Sequence, residues 1–292
     1  MPSVAVEIEN RFASLLRGGR NPGALESSHA MLWSYFDDSS DDKRRRYFAV
    51  GGLIAGESHW NGCSFHLDWA LATKNLKEPF RSTDCETQQG QFKNWAKADC
   101  DNLIAKLVTI LVENQLHSFA SVVPVDLYRE IFPQSDEYDA YYLAVIHAIV
   151  GLSGVARMHH NALGFGGMEC WFEDSDATTG RTREIYKALK QLKSWPDAEL
   201  LMPTPNFKDK ALWTLQAADL VAREAFKHFD NLGKRDTRIP VKRMLKLINF
   251  ARWNRETLEF VRDNGGPQNL ELLTSWNSDP SRPLFDIVCA AT

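Results

Sequence analysis

Two runs near the start of the chain decide the fold class. The first is Met31-Leu-Trp-Ser-Tyr-Phe, followed by Asp37-Asp-Ser-Ser-Asp-Asp, and the second is Tyr47-Phe-Ala-Val-Gly-Gly-Leu-Ile-Ala. Both runs are short and rich in aromatic or aliphatic residues, as strands are. The acidic and serine segment between them is typical of a connection. We therefore predict a β-hairpin with strands at residues 31–36 and 47–55 and a turn at residues 37–42.

The composition excludes several classes of protein. The chain has 292 residues, of which 44% are hydrophobic and 25% are charged. This apolar content is too high for a disordered chain, and the five cysteines contain no C-x-x-C pair that would indicate a zinc knuckle. The longest apolar stretch, residues 143–156, is too short to span a bilayer. We expect a soluble, cytoplasmic protein without membrane contact, and we leave homo-oligomer formation open.

Strand-like and helix-like segments alternate along the rest of the chain. Besides the hairpin, we predict a short strand at 80–85, a third strand at 117–125, a fourth at 168–172 and a fifth at 199–203. Helices are predicted at residues 60–76, 92–114, 138–158, 183–193 and 213–229. This order predicts an α/β fold with a mixed five-stranded sheet flanked by helices, and it fits an RNase H-like arrangement.

Three parts of the chain differ in character. Residues 1–30 are predicted to form an N-terminal arm with a Gly/Pro/Ser-rich connection. Residues 31–232 are predicted to form the RNase H-like domain, and residues 233–292 a basic, helical C-terminal extension.

Acidic residues recur where the predicted strands end, which is where an α/β sheet assembles its sites. Three pairs follow predicted strands: Asp37 with Asp38, Asp84 with Glu86, and Glu173 with Asp174. Asp219 lies in the otherwise apolar helical segment Leu215-Gln-Ala-Ala-Asp-Leu-Val-Ala, and Gln216 lies one turn before it on the same face. A carboxylate on a buried helix needs a cation or a hydrogen-bond donor.

Several carboxylates in one place repel one another, and divalent cations relieve that repulsion. Hard oxygen ligands favour Mg²⁺ or Mn²⁺. Two such ions about 3.5–4 Å apart can activate a water molecule and stabilise the leaving oxygen of a phosphodiester. The acids therefore suggest a nuclease mechanism. Each acid taken alone is also typical of a turn or a helix cap, and both interpretations stay open.

Five segments resemble the bacterial domain-of-unknown-function family 3800. They are Tyr35-Phe-Asp-Asp-Ser, Phe48-Ala-Val-Gly-Gly-Leu-Ile, Phe80-Arg-Ser-Thr-Asp-Cys-Glu, Trp171-Phe-Glu-Asp-Ser-Asp and Leu215-Gln-Ala-Ala-Asp-Leu-Val-Ala. Their order and spacing resemble the family over residues 32–229. The resemblance implies an RNase H-like fold and a nuclease activity in the setting of mobile elements and phage defence.

The resemblance also implies which acids bind metal. The family's first-strand motif, typically Asp-Glu-Ser-Gly, places its aspartate at Asp37, although this chain has Asp38 and Ser40 where the family commonly has Glu and Gly. The acid after the fourth strand falls on Asp174, and the helix aspartate falls on Asp219. Strand alternation does not decide between Asp174 and its neighbour Glu173, so Glu173 stays an alternative ligand.

Basic residues are concentrated late in the chain. Residues 234–255 contain eight basic residues and one acid, a local charge of +7, whereas the whole chain has a formal charge of −4. Lys242, Arg243 and Lys246 lie on one predicted helical face that could hold phosphates. Lys208 and Lys210 could neutralise either the acids or a substrate phosphate. We therefore predict nucleic acid as the partner.

Together these patterns predict a nuclease for DNA or RNA that depends on Mg²⁺ or Mn²⁺. The predicted metal ligands are Asp37, Asp174 and Asp219, the catalytic set also includes Glu173 and Gln216, and the auxiliary acids are Asp38, Asp84 and Glu86. Two alternatives stay open. One is a non-catalytic nucleic-acid-binding or regulatory protein whose acids hold the fold, and the other is a hydrolase of a small phosphorylated metabolite.

Overall fold

The computed structural model describes residues 31–41, 46–56, 59–60, 64–114, 116–136, 138–163, 166–244, 248–276 and 285–288. The predicted N-terminal arm and Lys246 lie outside these residues. The strands are β1 (Met31–Ser40), β2 (Tyr47–Gly56), β3 (His117–Pro124), β4 (Gly167–Glu173), β5 (Asn206–Lys208), β6 (Ile248–Arg252) and β7 (Asp286–Val288). They form one sheet in the order β5-β4-β1-β2-β3-β6-β7.

The α-helices alternate with the strands. They are α1 (Ser64–Thr73), α2 (Ser82–Thr87), α3 (Lys97–Glu113), α4 (Val125–Ile131), α5 (Asp139–Leu163), α6 (Thr179–Gln191), α7 (Trp213–Asn231), α8 (Ile239–Met244), α9 (Arg255–Asp263) and α10 (Leu270–Thr274). The prediction of a mixed α/β sheet flanked by helices is confirmed.

The opening hairpin is present, and its first strand is longer than predicted. β1 and β2 pair antiparallel along their length, with Asp37 opposite Gly51 and Ser40 opposite Phe48. Residues 37–40 were predicted as part of a turn, and that prediction is wrong. The composition of this segment is typical of a turn. Its backbone N–H and C=O groups nevertheless pair with β2, which satisfies more of their hydrogen bonds than a turn would.

The sheet extends from this hairpin on both sides. β4 pairs parallel with β1, and β5 pairs parallel with β4. On the other side β3 pairs antiparallel with β2, β6 parallel with β3, and β7 antiparallel with β6. The sheet therefore has seven strands rather than five. The C-terminal residues, predicted to be helical and then irregular, contribute the two additional strands.

Two other predicted strands are wrong. Residues 80–85 lead into helix α2, and Asp84 in its first turn carries a negative charge that the helix N-terminus favours. Residues 199–203 end a short 3₁₀-helix (Pro196–Leu200) and make a single bridge, Leu201 to Met168. Proline at the first helical position favours that turn. The fifth strand in chain order is β5 instead.

A helix covers each face of the sheet, and the side chains of β1 alternate between these two faces. Helix α7 packs across β1 and β2 on one face, and α5 packs across β2 and β3 on the other. Phe36 belongs to the core on the α5 side, and Tyr35 belongs to the core on the α7 side. Because side chains alternate along a strand, Asp37 faces α7 and Asp38 faces α5.

Helix α5 is a core helix. By length and composition it could cross a membrane, although the apolar run within it is shorter. Its most apolar window has a mean hydropathy of 1.4, and 72% of that window is buried inside the fold. The apolar composition is therefore used in packing against the sheet.

We expect Gly51→Ala to destabilise the protein, because Gly51 lies directly under α7. A Cβ atom at Gly51 would lie 2.5 Å from the backbone nitrogen of Ala222, so the helix would have to move. Such overpacking typically costs about 1–3 kcal/mol, which urea denaturation would measure. The matched control is Gly154→Ala on α5, where an added Cβ meets no atom within 4 Å. Equal losses for the two variants would contradict this packing of α7 on β2.

Candidate functional site

Three carboxylates from different parts of the chain surround one ammonium group. Asp37 lies on β1, Glu173 ends β4, and Asp219 lies on α7. The Nζ of Lys210 lies 2.8 Å from Oδ2 of Asp37 and 3.1 Å from Oδ1 of Asp219. The same nitrogen lies 3.3 Å from Oε2 of Glu173. Oxygens from two strands and a helix therefore converge on one cation position.

The strand register explains why Glu173 joins this group. β1 and β4 run parallel with Phe36 beside Phe172, so Asp37 and Glu173 follow at neighbouring positions on the same face. Asp174 is exposed. Its Oδ1 accepts a hydrogen bond of 2.9 Å from Thr179 Oγ1 at the start of α6. Of the two acids that the sequence left open, the structure groups Glu173, and not Asp174, with Asp37 and Asp219.

The cluster is almost fully buried. Asp37 is 4% exposed, Asp219 5% and Lys210 7%. Burial raises the pKa of Asp37 well above its usual range against the opposing effect of Lys210, and the charges of Asp219 and Glu173 raise it further. Burial alone would lower the pKa of Lys210, but the charges of Asp219 and Asp37 raise it above its usual value. Lys210 is therefore a charged ammonium that faces an excess of carboxylates.

Backbone donors hold the two aspartates in place. Oδ1 of Asp37 accepts a hydrogen bond of 2.8 Å from the N–H of Asp38. Oδ2 of Asp219 accepts one of 2.6 Å from the N–H of Ser82, which begins α2. Each aspartate thus uses one oxygen to bind the backbone and directs the other at Lys210.

Gln216 positions two segments rather than facing the centre of the cluster. Its Oε1 accepts hydrogen bonds from the N–H of Phe80 at 3.3 Å and from Nε1 of Trp69 at 3.2 Å. Its Nε2 donates to the carbonyl oxygen of Lys210 at 3.1 Å. Sequence analysis assigned Gln216 to the catalytic set as a residue that would orient a ligand or substrate. The structure places it behind the site, where it holds the chain segments on either side.

The three auxiliary acids lie away from Lys210. Asp38 is on the α5 face, where burial and the charge of Asp38 raise the pKa of Tyr141. Asp84 lies on α2, not at a strand end. Glu86, also on α2, accepts hydrogen bonds of 2.8 Å from both Arg223 and Arg238. The structure therefore does not group these acids with Asp37 and Asp219.

Glu86 belongs to a second charged cluster that the sequence analysis missed. Besides Arg223 and Arg238, it contacts Lys227 at 3.3 Å, and Arg238 also contacts Glu224 at 3.3 Å. Burial raises the pKa of Glu224 to about 7, although the neighbouring cations oppose this. Asp219, Arg223 and Lys227 are each four residues apart on α7. That spacing is the signal that could have predicted a charged stripe.

The predicted basic residues divide between two environments. Lys210 neutralises the acids, which is one of the two roles expected for it. Lys208 is exposed on β5, beside Glu173 in the strand register. Lys242 and Arg243 are exposed on α8, where Arg243 donates a hydrogen bond of 3.2 Å to Thr109. These exposed cations are free to meet solvent, whereas Lys210 is not.

Two half-buried tryptophans lie on the elements that carry the acids, and they were not predicted. Trp171 on β4 is half-buried and stacks on Tyr35 with ring centres 6.0 Å apart. Trp213 begins α7 and stacks on the exposed ring of His66 at 5.0 Å. Arg81 is exposed and lies 3.7 Å from Oε1 of Glu173. The guanidinium of Arg81 therefore stands next to Glu173, and Trp171 lies two residues before Glu173 on β4.

Comparisons with known proteins assign no family to the chain. No known family model and no curated protein matches the chain. Among solved structures, the chain is similar to one described as the structure of the PCNA:RNase HII complex from Archaeoglobus fulgidus. The sequences are 12% identical, the match covers 73% of this chain and 84% of that chain, and the TM-score is 0.33.

We expect Glu224→Gln to remove a pH dependence of stability. Because the folded-state pKa of about 7 lies above the usual value of 4.5, the folded protein binds this proton more tightly than the unfolded chain does. That stabilisation is complete below about pH 4.5 and is lost as the pH rises through 7. Relative to the wild type, the free energy of unfolding of the variant should therefore increase by up to about 3 kcal/mol between pH 5 and pH 8.

Urea denaturation at the two pH values would measure this gain, with the exposed Glu199→Gln as the control. A stability difference between variant and wild type that stays constant from pH 5 to pH 8 would show that Glu224 does not titrate there.

Proposed function

We propose that the chain is a metal-dependent phosphodiester hydrolase with an RNase H-like fold, and that it cleaves nucleic acid. The observation that carries the proposal is the convergence of Asp37, Glu173 and Asp219 on one buried cation position. The antiparallel run β1-β2-β3, continued by the parallel strands β4 and β5, supports the RNase H-like arrangement. The resemblance to family 3800 supports it as well, with Glu173 taking the role that the resemblance gave to Asp174.

The donor set fits a divalent cation. All three groups offer carboxylate oxygens, the hard ligands that Mg²⁺ and Mn²⁺ prefer. A single ammonium leaves part of their charge uncompensated, and a divalent ion would neutralise more of it. In the described part of the chain, no group of three His, Cys, Asp or Glu side chains is arranged to hold a metal. Nζ of Lys210 stands where the oxygens of the three acids converge.

The residues of the site would hold the carboxylates in a fixed direction and shield them from bulk water. When bound, a divalent ion supplies Lewis acidity and lowers the pKa of a water molecule. The N–H groups of Asp38 and Ser82 fix Asp37 and Asp219, so their second oxygens keep their direction. Burial keeps bulk water from the carboxylates and strengthens their field. Gln216 keeps the Lys210 segment beside α7.

Side chains near Glu173 support nucleic acid as the substrate class. The half-buried ring of Trp171, two residues before Glu173 on β4, would offer bases a surface for stacking, which is how proteins bind single strands of any sequence. Arg81 and Lys208 are exposed beside Glu173 and are suited to phosphates. Lys242 and Arg243 would extend the phosphate contacts. We place this activity in the cytoplasm, on DNA or RNA.

A second candidate function is a non-catalytic nucleic-acid-binding protein of the same fold. The observation that favours it is Lys210 itself, because its ammonium already lies within 3.3 Å of an oxygen of each of the three acids without a metal ion. In that case the acids would serve the fold, and the exposed cations would serve binding. Cleavage assays separate the two functions.

We expect Asp37→Asn and Asp219→Asn each to lower Mn²⁺-dependent cleavage of labelled single-stranded DNA and RNA at least about 100-fold. Each variant removes a charged oxygen from the cation position, and asparagine keeps the shape that the backbone donors hold. The matched control is Asp174→Asn, which should cleave within a few-fold of wild type because Asp174 lies outside the cluster. Circular dichroism would check that all variants are folded.

Three outcomes bear on the proposal. Wild-type protein that cleaves neither substrate with Mg²⁺ or Mn²⁺ would contradict it and favour the binding function. Full cleavage by Asp219→Asn would also contradict it. Loss of cleavage in Asp174→Asn but not in Glu173→Gln would indicate that Asp174, the acid that the resemblance implied, binds the metal in place of Glu173.

A further inference from the structure

We propose that Lys210 is a resident cation that competes with the divalent ion, so that the site takes metal only when the Lys210 side chain withdraws. This inference rests on the proposed use of a divalent ion by the same carboxylates. It adds a residue that controls the site, and no predicted motif assigns that role to Lys210.

The geometry allows one cation at a time. Nζ of Lys210 lies within 3.3 Å of an oxygen from each of the three acids. Mg²⁺ bound to the same oxygens would sit about 2.0–2.1 Å from each of them. Both cations would then need the same small volume between Asp37, Glu173 and Asp219. Two positive charges at that separation repel strongly in a buried site, so the metal and the ammonium exclude each other.

Competition by a tethered group is effective. Lys210 is held beside the acids by the chain, so it returns to them without the entropy cost that a free ion pays. The apparent metal affinity is the intrinsic affinity multiplied by the fraction of molecules in which Lys210 is withdrawn. If that fraction were about 1%, the metal would bind about 100-fold more weakly than the carboxylates alone allow.

The backbone on either side of Lys210 is held in place. The carbonyl oxygen of Lys210 accepts a hydrogen bond from Gln216 Nε2, and a hydrogen bond of 2.8 Å from the N–H of Ala211 to Oδ1 of Asp209 spans Lys210. Both neighbours, Asp209 and Ala211, are exposed. In the proposal, withdrawal is a rotation of the flexible four-carbon side chain about its own bonds toward this exposed segment, while the backbone stays in place.

The test is Mn²⁺ binding to the full chain, measured by titration calorimetry with Mn²⁺ alone. Lys210→Met removes the competing charge and keeps the apolar stem, and we expect it to bind Mn²⁺ at least 10-fold more tightly than wild type. Lys210→Arg keeps a cation and should not gain that affinity. Lys193→Met, which changes an exposed lysine just after α6 and away from the acids, is the control and should bind as wild type does. Equal or weaker binding by Lys210→Met overturns the proposal.

The unpaired acids could prevent Lys210→Met from folding without metal, and the proposal then makes a different prediction. Circular dichroism should show that Mn²⁺ refolds the variant, while NaCl of the same ionic strength does not. Failure of Mn²⁺ to refold it overturns the proposal.

These results also separate this inference from the proposed function. Tighter Mn²⁺ binding without cleavage by any variant supports the competition and contradicts the nuclease. Mn²⁺-dependent cleavage by wild type together with unchanged affinity in Lys210→Met supports the nuclease and overturns the competition.

Discussion

The ion pairs of Lys210 with Asp37, Glu173 and Asp219 are the interaction on which the site and much of the fold depend. They join β1, β4 and α7 at one buried point. Removing one partner from a buried ion pair typically costs about 3–5 kcal/mol, because the remaining charge is left without compensation. A cation at this position therefore stabilises the fold. The further inference assigns this role alternately to Lys210 and to a divalent ion.

The architecture brings the acids together by close packing. Gly51 lies opposite Asp37 on β2, and its lack of a side chain lets α7 approach the sheet at the level of the site. That approach carries Asp219 toward Asp37. The N–H of Ser82 and the amide of Gln216 then tie α2 and the Lys210 segment to α7. The site is thus a consequence of how closely one helix lies on two strands.

Much of this arrangement can be predicted from local sequence. Apolar runs with turn-forming boundaries located the hairpin, β3 and β4, and an aspartate in an apolar helix pointed to Asp219. The predictions that were wrong concern features that depend on partners distant in the sequence. Residues 37–40 look like a turn but pair with β2. β6 is a strand because β3 offers it an edge, and β7 is a strand because β6 offers it the next edge. The choice of Glu173 over Asp174 follows from the register of β4 on β1, which no single strand contains. Lys210 could be named from the sequence, but its three partners could not be assigned.

The central claim is that these three acids form a cation site for a divalent ion, and that Lys210 holds it in the ion's absence. A crystal structure of the protein with Mn²⁺, with anomalous diffraction measured at the manganese edge, tests this most directly. The account predicts an anomalous peak bound by Asp37, Glu173 and Asp219, with the Lys210 side chain turned away. The account would be contradicted by a structure in which Lys210 still lies between the acids and no anomalous peak is present there. The Mn²⁺ concentration in that experiment must be one that saturates other Mn²⁺ enzymes.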